Sequence, residues 1–226
     1  MADVALLIHG GDRGHWLWEY YLHWFNKYWV DIERIEPIIL YETKAPPATS
    51  LRKMATGVVP WGQGLIESLD KLEHKYIIYV HEDYFLTATP DFTLLYLIEK
   101  AMDRHSLNLV KMCGWWTGWD DPKNTHSKSN IVVNGEPLYL YNNNCDYLTS
   151  HQPSMWNRKF LRSTLQPQWT PWEHELKGSR KLKQRNIPIH AYRGEWPMPI
   201  AECATKDKPR KNTEKFFNIL DKGEPK

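Results

Sequence analysis

Lys75-Tyr76-Ile77-Ile78-Tyr79-Val80-His81-Glu82-Asp83-Tyr84-Phe85-Leu86 decides the fold. An unbroken run of β-branched and aromatic residues reads as a strand buried on both faces, as in the interior of a parallel sheet. The run ends abruptly where an imidazole and two carboxylates arrive together. In open α/β sheets, ligands bind outside the carboxyl ends of the strands. Burying unpaired carboxylates costs several kcal/mol, so these acids are expected to reach water or a cation.

The flanking segments repeat the alternation of strand and helix. Val4 to Ile8 is an apolar strand followed by His9-Gly10-Gly11-Asp12-Arg13-Gly14, and Leu17, Tyr20, Tyr21, Trp24, Phe25 and Tyr28 follow at helical spacing. Ile35 to Tyr41 is a second strand, with a short segment near Gly57-Val58-Val59 and an amphipathic helix over Leu65 to Leu72. Beyond Asp83, Pro90 opens a helix reaching about Arg104, and Leu107 to Met112 is another strand. The order implies a parallel sheet with helices on both faces and right-handed crossovers. Downstream, Ile131 to Tyr141 reads as a hairpin turning at Asn134-Gly135. Met155 to Leu165 and Trp172 to Gln184 read as helices, and Ile187 to Tyr192 as a late strand.

Composition bounds the function classes. The chain has 226 residues and a formal net charge of +2, so bulk charge implies no polyanionic partner. That balance argues against a single-stranded nucleic-acid binder built from the aromatics and the basic helix, which would need a positive groove. Twelve Trp and twelve Tyr supply both core and stacking surfaces. Cys113, Cys145 and Cys203 have no metal-binding spacing and fit a reduced protein. No basic flank and leader precede the first strand, and no apolar stretch approaches the roughly 20 residues that span a bilayer. A soluble, cytoplasmic protein is expected.

Four segments carry the chemistry. The glycine turn at Gly10, Gly11 and Asp12 serves either as a tight turn or as a ligand loop. An esterase-type reading fails because no Gly-x-Ser-x-Gly elbow exists in the chain. His81-Glu82-Asp83 offers oxygen ligands for Mg²⁺ or Mn²⁺, which use one or two protein carboxylates and keep several waters. Glu173 and Glu175 point in different directions on a helix, so one of them faces any given site. Glu173, directly after Trp172, is preferred, with Glu175 a near equal; the alternative is that both acids favour a helix N-terminus. In Trp115-Trp116-Thr117-Gly118-Trp119-Asp120-Asp121, the rings and acids suit a sugar platform or an inward-packed loop.

The Tyr76–Leu86 run resembles the strand and Asp-x-Asp region of GT-A glycosyltransferases, most closely the family 2-type enzymes of viral and bacterial surface-glycan gene sets. Three further segments are similar in order. These are Trp61-Gly62-Gln63-Gly64-Leu65, the Ser150-His151-Gln152-Pro153-Ser154-Met155-Trp156 start, and Pro171-Trp172-Glu173-His174-Glu175. The resemblance covers roughly residues 3 to 195. It implies an α/β GT-A fold, with a Rossmann-like nucleotide-binding half over 1–113 and an acceptor half over 114–204, followed by a basic tail over 205–226. It also implies transfer of a sugar from a UDP- or GDP-sugar to a glycan or other hydroxyl acceptor, with inversion.

Carried over by position, Gly10, Gly11, Asp12, Glu42, Trp61, Gly62, His81, Glu82 and Asp83 would hold the nucleotide. Asp83, with His81, would hold a divalent metal. Trp115, Trp116, Trp119, Asp120, Gln152 and Trp172 would bind the substrate, and Glu173 or Glu175 would be the base. The chain departs from the pattern at His81, which stands where the first acid of Asp-x-Asp belongs. That departure favours the rival reading of a non-catalytic glycan- or nucleotide-binding module of the same fold.

Overall fold

The computed structural model describes residues 3–31, 33–112, 126–141, 147–205 and 208–218. Strand β1 (Val4–Gly10) is buried throughout, and its two faces part cleanly. Val4, Leu6 and Ile8 enter one apolar core, while Ala5 and Leu7 enter the other. That is what a strand covered on both faces requires, since alternate side chains point to opposite sides. A short 3-10 turn over Asp12–Leu17 leads into α1 (Trp18–Tyr28), which closes the first core. Strand β2 (Ile35–Tyr41) lies parallel to β1. The third strand is not at 57–59 but upstream, as β3 (Arg52–Ala55) at the sheet edge. This mostly exposed edge strand carries no apolar alternation, and Gly57 instead makes a turn with φ +75°.

Helix α2 (Trp61–Asp70) begins against a loop from the other half of the chain. The N–H groups of Gly62 and Gln63, which a helix start leaves without internal partners, donate to the carbonyls of Trp169 (3.0 Å) and Pro167 (2.9 Å). The approach is so close that a Cβ on Gly62 would fall 2.1 Å from the Gln166 carbonyl oxygen. Strand β4 (Tyr76–His81) pairs with β1 in parallel. It stops at His81, and Glu82-Asp83 turn the chain into β5 (Tyr84–Leu86), which leaves the main sheet. Asp91 caps α3 (Phe92–His105) by accepting from Leu94 N at 2.9 Å, and Ser106 ends it in the left-handed region. Strand β6 (Leu109–Lys111) follows.

Strands β7 (His126–Val133) and β8 (Glu136–Tyr141) form the expected hairpin, with Asn134 and Gly135 both at positive φ as a type I′ turn requires. The next element corrects the sequence reading. Met155 to Asn157, expected as the start of a helix, belong to strand β9 (Ser154–Asn157), and α4 begins only at Arg158 (Arg158–Thr164), capped by Asn157. Four residues running straight into a helix are too short for period 2 to be told from period 3.6. Strand β9 is antiparallel to both its neighbours, β4 and β6. The sheet is therefore mixed, and β4 is parallel on one side only. Met155 and Trp156 of β9 are fully buried, Trp156 at 1% exposure.

Helices α5 (Pro171–Glu173) and α6 (Ser179–Gln184) are joined by a π-helical turn, His174–Gly178. Strand β10 (His190–Ala191) completes the nine-stranded sheet, ordered β3-β2-β1-β4-β9-β6-β10-β8-β7. The strands of both halves of the chain thus share one sheet and two continuous cores. Strand β11 (Ile200–Glu202) pairs with β5, and β12 (Ala204–Thr205) with β13 (Lys208–Pro209). Among the described residues no helix is long and apolar enough to cross a membrane.

The stretch from 205, expected as a basic tail, packs onto the domain as far as it is described. A 3-10 turn, Glu214–Phe216, presents Phe216 and Phe217 to the first core. Phe217 meets Phe85 (ring centroids 5.5 Å apart), Trp16 (5.6 Å) and Tyr20 (5.0 Å), and Trp24 Nε1 donates to the Phe216 carbonyl at 3.1 Å. Replacing Phe217 by Ala should therefore destabilise the whole domain by about 3 kcal/mol in urea unfolding, as for other buried aromatic truncations. A loss below about 0.5 kcal/mol, the scale of a surface substitution, would mean that the segment does not belong to the core.

Candidate functional site

The carboxyl ends of β1 and β4 and the segment before β9 converge on one cleft of about 610 Å³. Gly11, Arg13 and Gly14 line it from the turn after β1, and His81, Glu82 and Asp83 from the end of β4. His151, Pro171, Trp172 and Glu175 face them. A smaller chamber of about 220 Å³ shares Tyr84, Trp172 and Glu175 with it and adds Tyr147, Ser150, Gln152, Glu202 and Arg210. Another hollow, about 510 Å³ among Val4, Ile35, Phe92 and Leu95, lies at the opposite end of β1 and shares no lining residue with either.

The glycines of the first turn make room for Glu82. A Cβ on Gly14 would fall 1.8 Å from Glu82 Oε1, and one on Gly10 would lie 3.1 Å from its Cδ and 2.6 Å from Trp18 Cζ2. Burial raises the Glu82 carboxyl to about 8, Asp83 adds to the rise, and the Gly11 backbone N–H partly offsets it. Asp83 is raised to about 7, first by burial and then by Glu202. Its Oδ1 is buried with no hydrogen-bond partner among the described residues. Glu202 is paired with Arg210 from the segment after β13.

Asp12 and Glu42, read from the sequence as nucleotide contacts, tie two loops together. Asp12 accepts from the backbone N–H groups of Thr43 (2.9 Å) and Lys44 (2.8 Å) and from the Thr43 hydroxyl. These bonds, the hydroxyl's foremost, hold its carboxyl down at about 2. Glu42 in turn accepts from Asp12 N at 2.8 Å. Trp61 and Gly62 also serve the interior. The Trp61 indole donates to Tyr79 Oη at 3.2 Å and lies against His9, His151 and His174. Gly62 is the docking point of α2 already described.

Four histidines line or underlie the cleft. His9 Nδ1 lies 2.8 Å from Tyr79 Oη, the His81 ring stacks on that of His9 with centroids 6.2 Å apart, and His151 Nε2 lies 2.8 Å from His174 Nδ1. His81 and His151 have ring centroids 5.2 Å apart. Burial dominates every one of them and drives His9 and His174 to about 3, His81 to about 4, and His151 well below its ordinary value. All four rings are therefore neutral at physiological pH.

The two candidate bases are separated by their surroundings. Glu173 closes a capping box: Thr170 N donates to its Oε2 at 3.0 Å, and Glu173 N donates to Thr170 Oγ1 at 3.2 Å. Lys177 Nζ lies 2.7 Å from its Oε1 and is the main reason its carboxyl is held down at about 2. Glu173 lines neither cavity. Glu175 lines both, and burial raises its pKa. One Oε1 lone pair is occupied by His151 N at 2.7 Å.

Glu175 reaches the cleft from the π-helical turn, a feature common at functional sites because it re-aims one side chain within a helix. Backbone oxygens there are met by side chains. Thr149 Oγ1 contacts the carbonyls of His174 (2.9 Å) and Glu175 (3.2 Å), and Ser179 Oγ also donates to Glu175 O. Gly178 permits this, since a Cβ there would come within 2.9 Å of Thr149 Oγ1.

Of the expected substrate contacts, Gln152 is buried in the smaller chamber and Trp172, 60% exposed, stands on the rim between the two cavities. Trp115, Trp116, Trp119 and Asp120 lie outside the described residues, as do Cys113 and Cys145; Cys203 is a buried free thiol. Sequence reading assigned no role to His151, His174, Tyr79, Lys111, Glu202 or Arg210. One signal was present, because each chemistry-bearing segment near the cleft contains a histidine: His9, His81, His151 and His174. Lys111 had none; it ends β6 fully buried, with Nζ donating to the Tyr147 carbonyl at 2.6 Å.

No protein-family model matches the chain, and no curated protein matches it in sequence. Solved structures share its architecture. A mannosyltransferase from Pyrobaculum calidifontis, PcManGT, in complex with GDP-Man and Mn²⁺, matches with a TM-score of 0.55 at 9% identity, over 90% of this chain and 58% of that one. Staphylococcus aureus TarS gives TM-scores of 0.49, and 0.48 in its complex with UDP, each at 11% identity over 85% of this chain and 58% of that chain. This chain thus spans less than two thirds of the structures it matches. The likeness to the mannosyltransferase establishes the fold, a GT-A-type α/β sheet of glycosyltransferase architecture.

The shifted groups set opposite pH dependences. The unfolded chain protonates its histidines near 6.5 whereas folded His9, His81 and His174 resist until 3 to 4, so stability falls as pH drops below 6.5. Glu82 does the reverse: folded, it keeps a proton up to about 8 that the unfolded chain releases near 4.5, so stability falls as pH rises through that window. Thermal unfolding should therefore occur at lower temperature at pH 8 than at pH 6.5, and Glu82→Gln should flatten that alkaline decline. The acid-side decline should persist in the variant, and an unchanged alkaline slope would contradict the burial of Glu82 as a neutral acid.

Proposed function

We propose that the chain is an inverting glycosyltransferase that moves a sugar from a nucleoside diphosphate sugar, of the UDP or GDP type, to an acceptor hydroxyl. The observation that carries this reading is Glu175, a desolvated carboxylate shared by a larger cleft and an adjoining aromatic chamber. The larger cleft, bounded by the Gly11–Gly14 turn and Asp83, suits a nucleoside diphosphate. The chamber walled by Tyr84, Tyr147 and Trp172 suits an acceptor sugar, whose C–H faces stack on aromatic rings. The mannosyltransferase of the same fold, solved with GDP-Man and Mn²⁺, supports the donor class.

In this reading Glu175 removes the proton of the acceptor hydroxyl as its oxygen attacks the anomeric carbon. The bond from that carbon to the diphosphate oxygen breaks on the opposite face, and its electron pair leaves with the diphosphate. Burial strengthens the base, because a raised pKa gives a greater proton affinity in the transition state. Glu173 is held by Thr170 and Lys177 and keeps a low proton affinity, so it serves as a helix cap.

A divalent ion, when bound, would supply Lewis-acid neutralisation of the charge that develops on the departing diphosphate. Asp83 fits a role in holding it, for its buried Oδ1 lacks a partner among the described residues. Among those residues no set of three His, Cys, Asp or Glu side chains is arranged as a metal cage. A hexacoordinate ion that completes its shell with water and phosphate oxygens needs only one or two protein carboxylates. His81, packed between the rings of His9 and Tyr79, and Glu82, turned under the glycines, are poorer ligands than the sequence pattern implied. The same two departures favour the second reading, a donor-binding module of this fold without turnover.

A turnover assay with UDP- and GDP-sugars, run with and without Mn²⁺ and paired with calorimetry of UDP and GDP, separates the readings. Glu175→Gln should lower kcat by about 10³, within the range for loss of a general base, while nucleotide binding persists. Glu173→Gln loses only an exposed cap and should change kcat by less than about threefold. Wild-type turnover in Glu175→Gln would remove the proposed base, and tight nucleotide binding with no turnover in the wild-type chain would select the binding module.

A further inference from the structure

Behind Glu175 runs a line of buried polar contacts that the transfer step does not use. It starts at α4, where Thr164 Oγ1 donates its single proton to the Leu161 carbonyl at 2.7 Å. The same oxygen lies 2.9 Å from His174 Nε2, so the proton in that contact comes from the imidazole. His174 has no exposed surface, is neutral, and carries one ring N–H. With Nε2 donating, its Nδ1 is bare. That bare nitrogen lies 2.8 Å from His151 Nε2, which must therefore be the donor. His151 is neutral as well, so its own Nδ1 is bare. The Nδ1 is 3.9 Å from Glu175 Oε1, too far for a hydrogen bond, and the carboxylate takes the His151 backbone N–H instead.

We propose that Thr164, His174 and His151 form a tautomer lock that keeps a bare ring nitrogen, and not a ring N–H, directed toward Glu175. This inference rests on the reading of Glu175 as the base. In the opposite tautomer His151 would aim a proton at the carboxylate across 3.9 Å, and that positive end of the ring would lower the proton affinity the base needs. The three residues are positioning residues, acting on the base through the ring they orient. The charged side chains acting on Glu175 oppose one another, Lys111 favouring its ionised form and Glu202 disfavouring it. Lys111 and the rings of His9 and His81 also act on His151, each disfavouring its protonation. A neutral His151 leaves its tautomer as the remaining variable, and Thr164 sets it from two residues away in the chain of contacts.

The test has an arm that needs no substrate. Long-range ¹⁵N–¹H correlation spectra of the ring nitrogens in the full chain at neutral pH should show both His151 and His174 protonated at Nε2. An Nδ1–H signal from either ring overturns the lock whether or not the chain transfers sugar. In the second arm, Thr164→Val removes the hydroxyl at nearly constant volume, while Thr164→Ser retains it. The Val variant should lose the fixed Nε2–H pattern and lower kcat by about fivefold, the factor that one hydrogen bond between neutral groups is worth, with the donor KM unchanged. The Ser variant should restore both. Altered ring signals with unchanged kcat would overturn the lock's role in transfer. Failure of the base assignment looks different, since turnover would then survive Glu175→Gln even where the ring signals match the lock.

Discussion

An antiparallel strand enters a sheet at the edge where its parallel neighbours leave it, and that reversal at β9 is the constraint on which the site depends. Strand β4 ends at His81, and the register pairs Tyr79 with Ser154, so residues 150–153 arrive beside His81 and the first glycine turn. Had this segment begun a helix, as its local pattern suggests, His151 would have had no fixed place against β4. The insertion also joins the two halves of the chain into one sheet. A cleft at that edge is then walled by the turn after β1, the tip of β4, and the π-helical turn carrying Glu175.

Desolvation governs the electrostatics of this edge. Burial lowers the proton affinity of the imidazoles and raises that of the carboxyls, because the charged form of each is disfavoured in an apolar, aromatic surrounding. Burial is the largest influence on His9, His81, His151, His174, Glu82, Asp83 and Glu175 alike. At the rim, where water screens, hydrogen bonds win instead, and Asp12 and Glu173 are held ionised by their neighbours. Two acids two residues apart, Glu173 and Glu175, therefore have opposite characters. One stabilises a helix start; the other is a candidate proton acceptor.

Close approach explains several choices of residue that composition alone leaves arbitrary. Gly14 is needed by the Glu82 carboxyl, Gly62 by the Gln166 carbonyl, and Gly178 by the Thr149 hydroxyl. In each case the contact comes from a segment remote in sequence. The first turn is thus less a phosphate cradle than a socket for a buried acid, which narrows the loop's own contribution to Gly11, Gly14 and the exposed Arg13.

The amino-acid order alone determined apolar strands at 4–8 and 35–41 and in the run ending at His81, helices over about 17–28 and 90–104, the Asn134-Gly135 hairpin, and a cluster of acids at the tip of an interior strand. Those features are legible because burial on two faces, helical periodicity and positive-φ turns each impose a local signature on the residues that adopt them. The edge strand at 52–55 and the short strand at 154–157 have no such signature, being too exposed or too brief. Only the tertiary structure decided that Glu82 is buried, that Glu175 and not Glu173 lines the cleft, that Phe217 belongs to the core, and that four histidines are neutral. Solvation and proton affinity depend on what distant segments pack against a group, and no window of neighbouring residues contains that information.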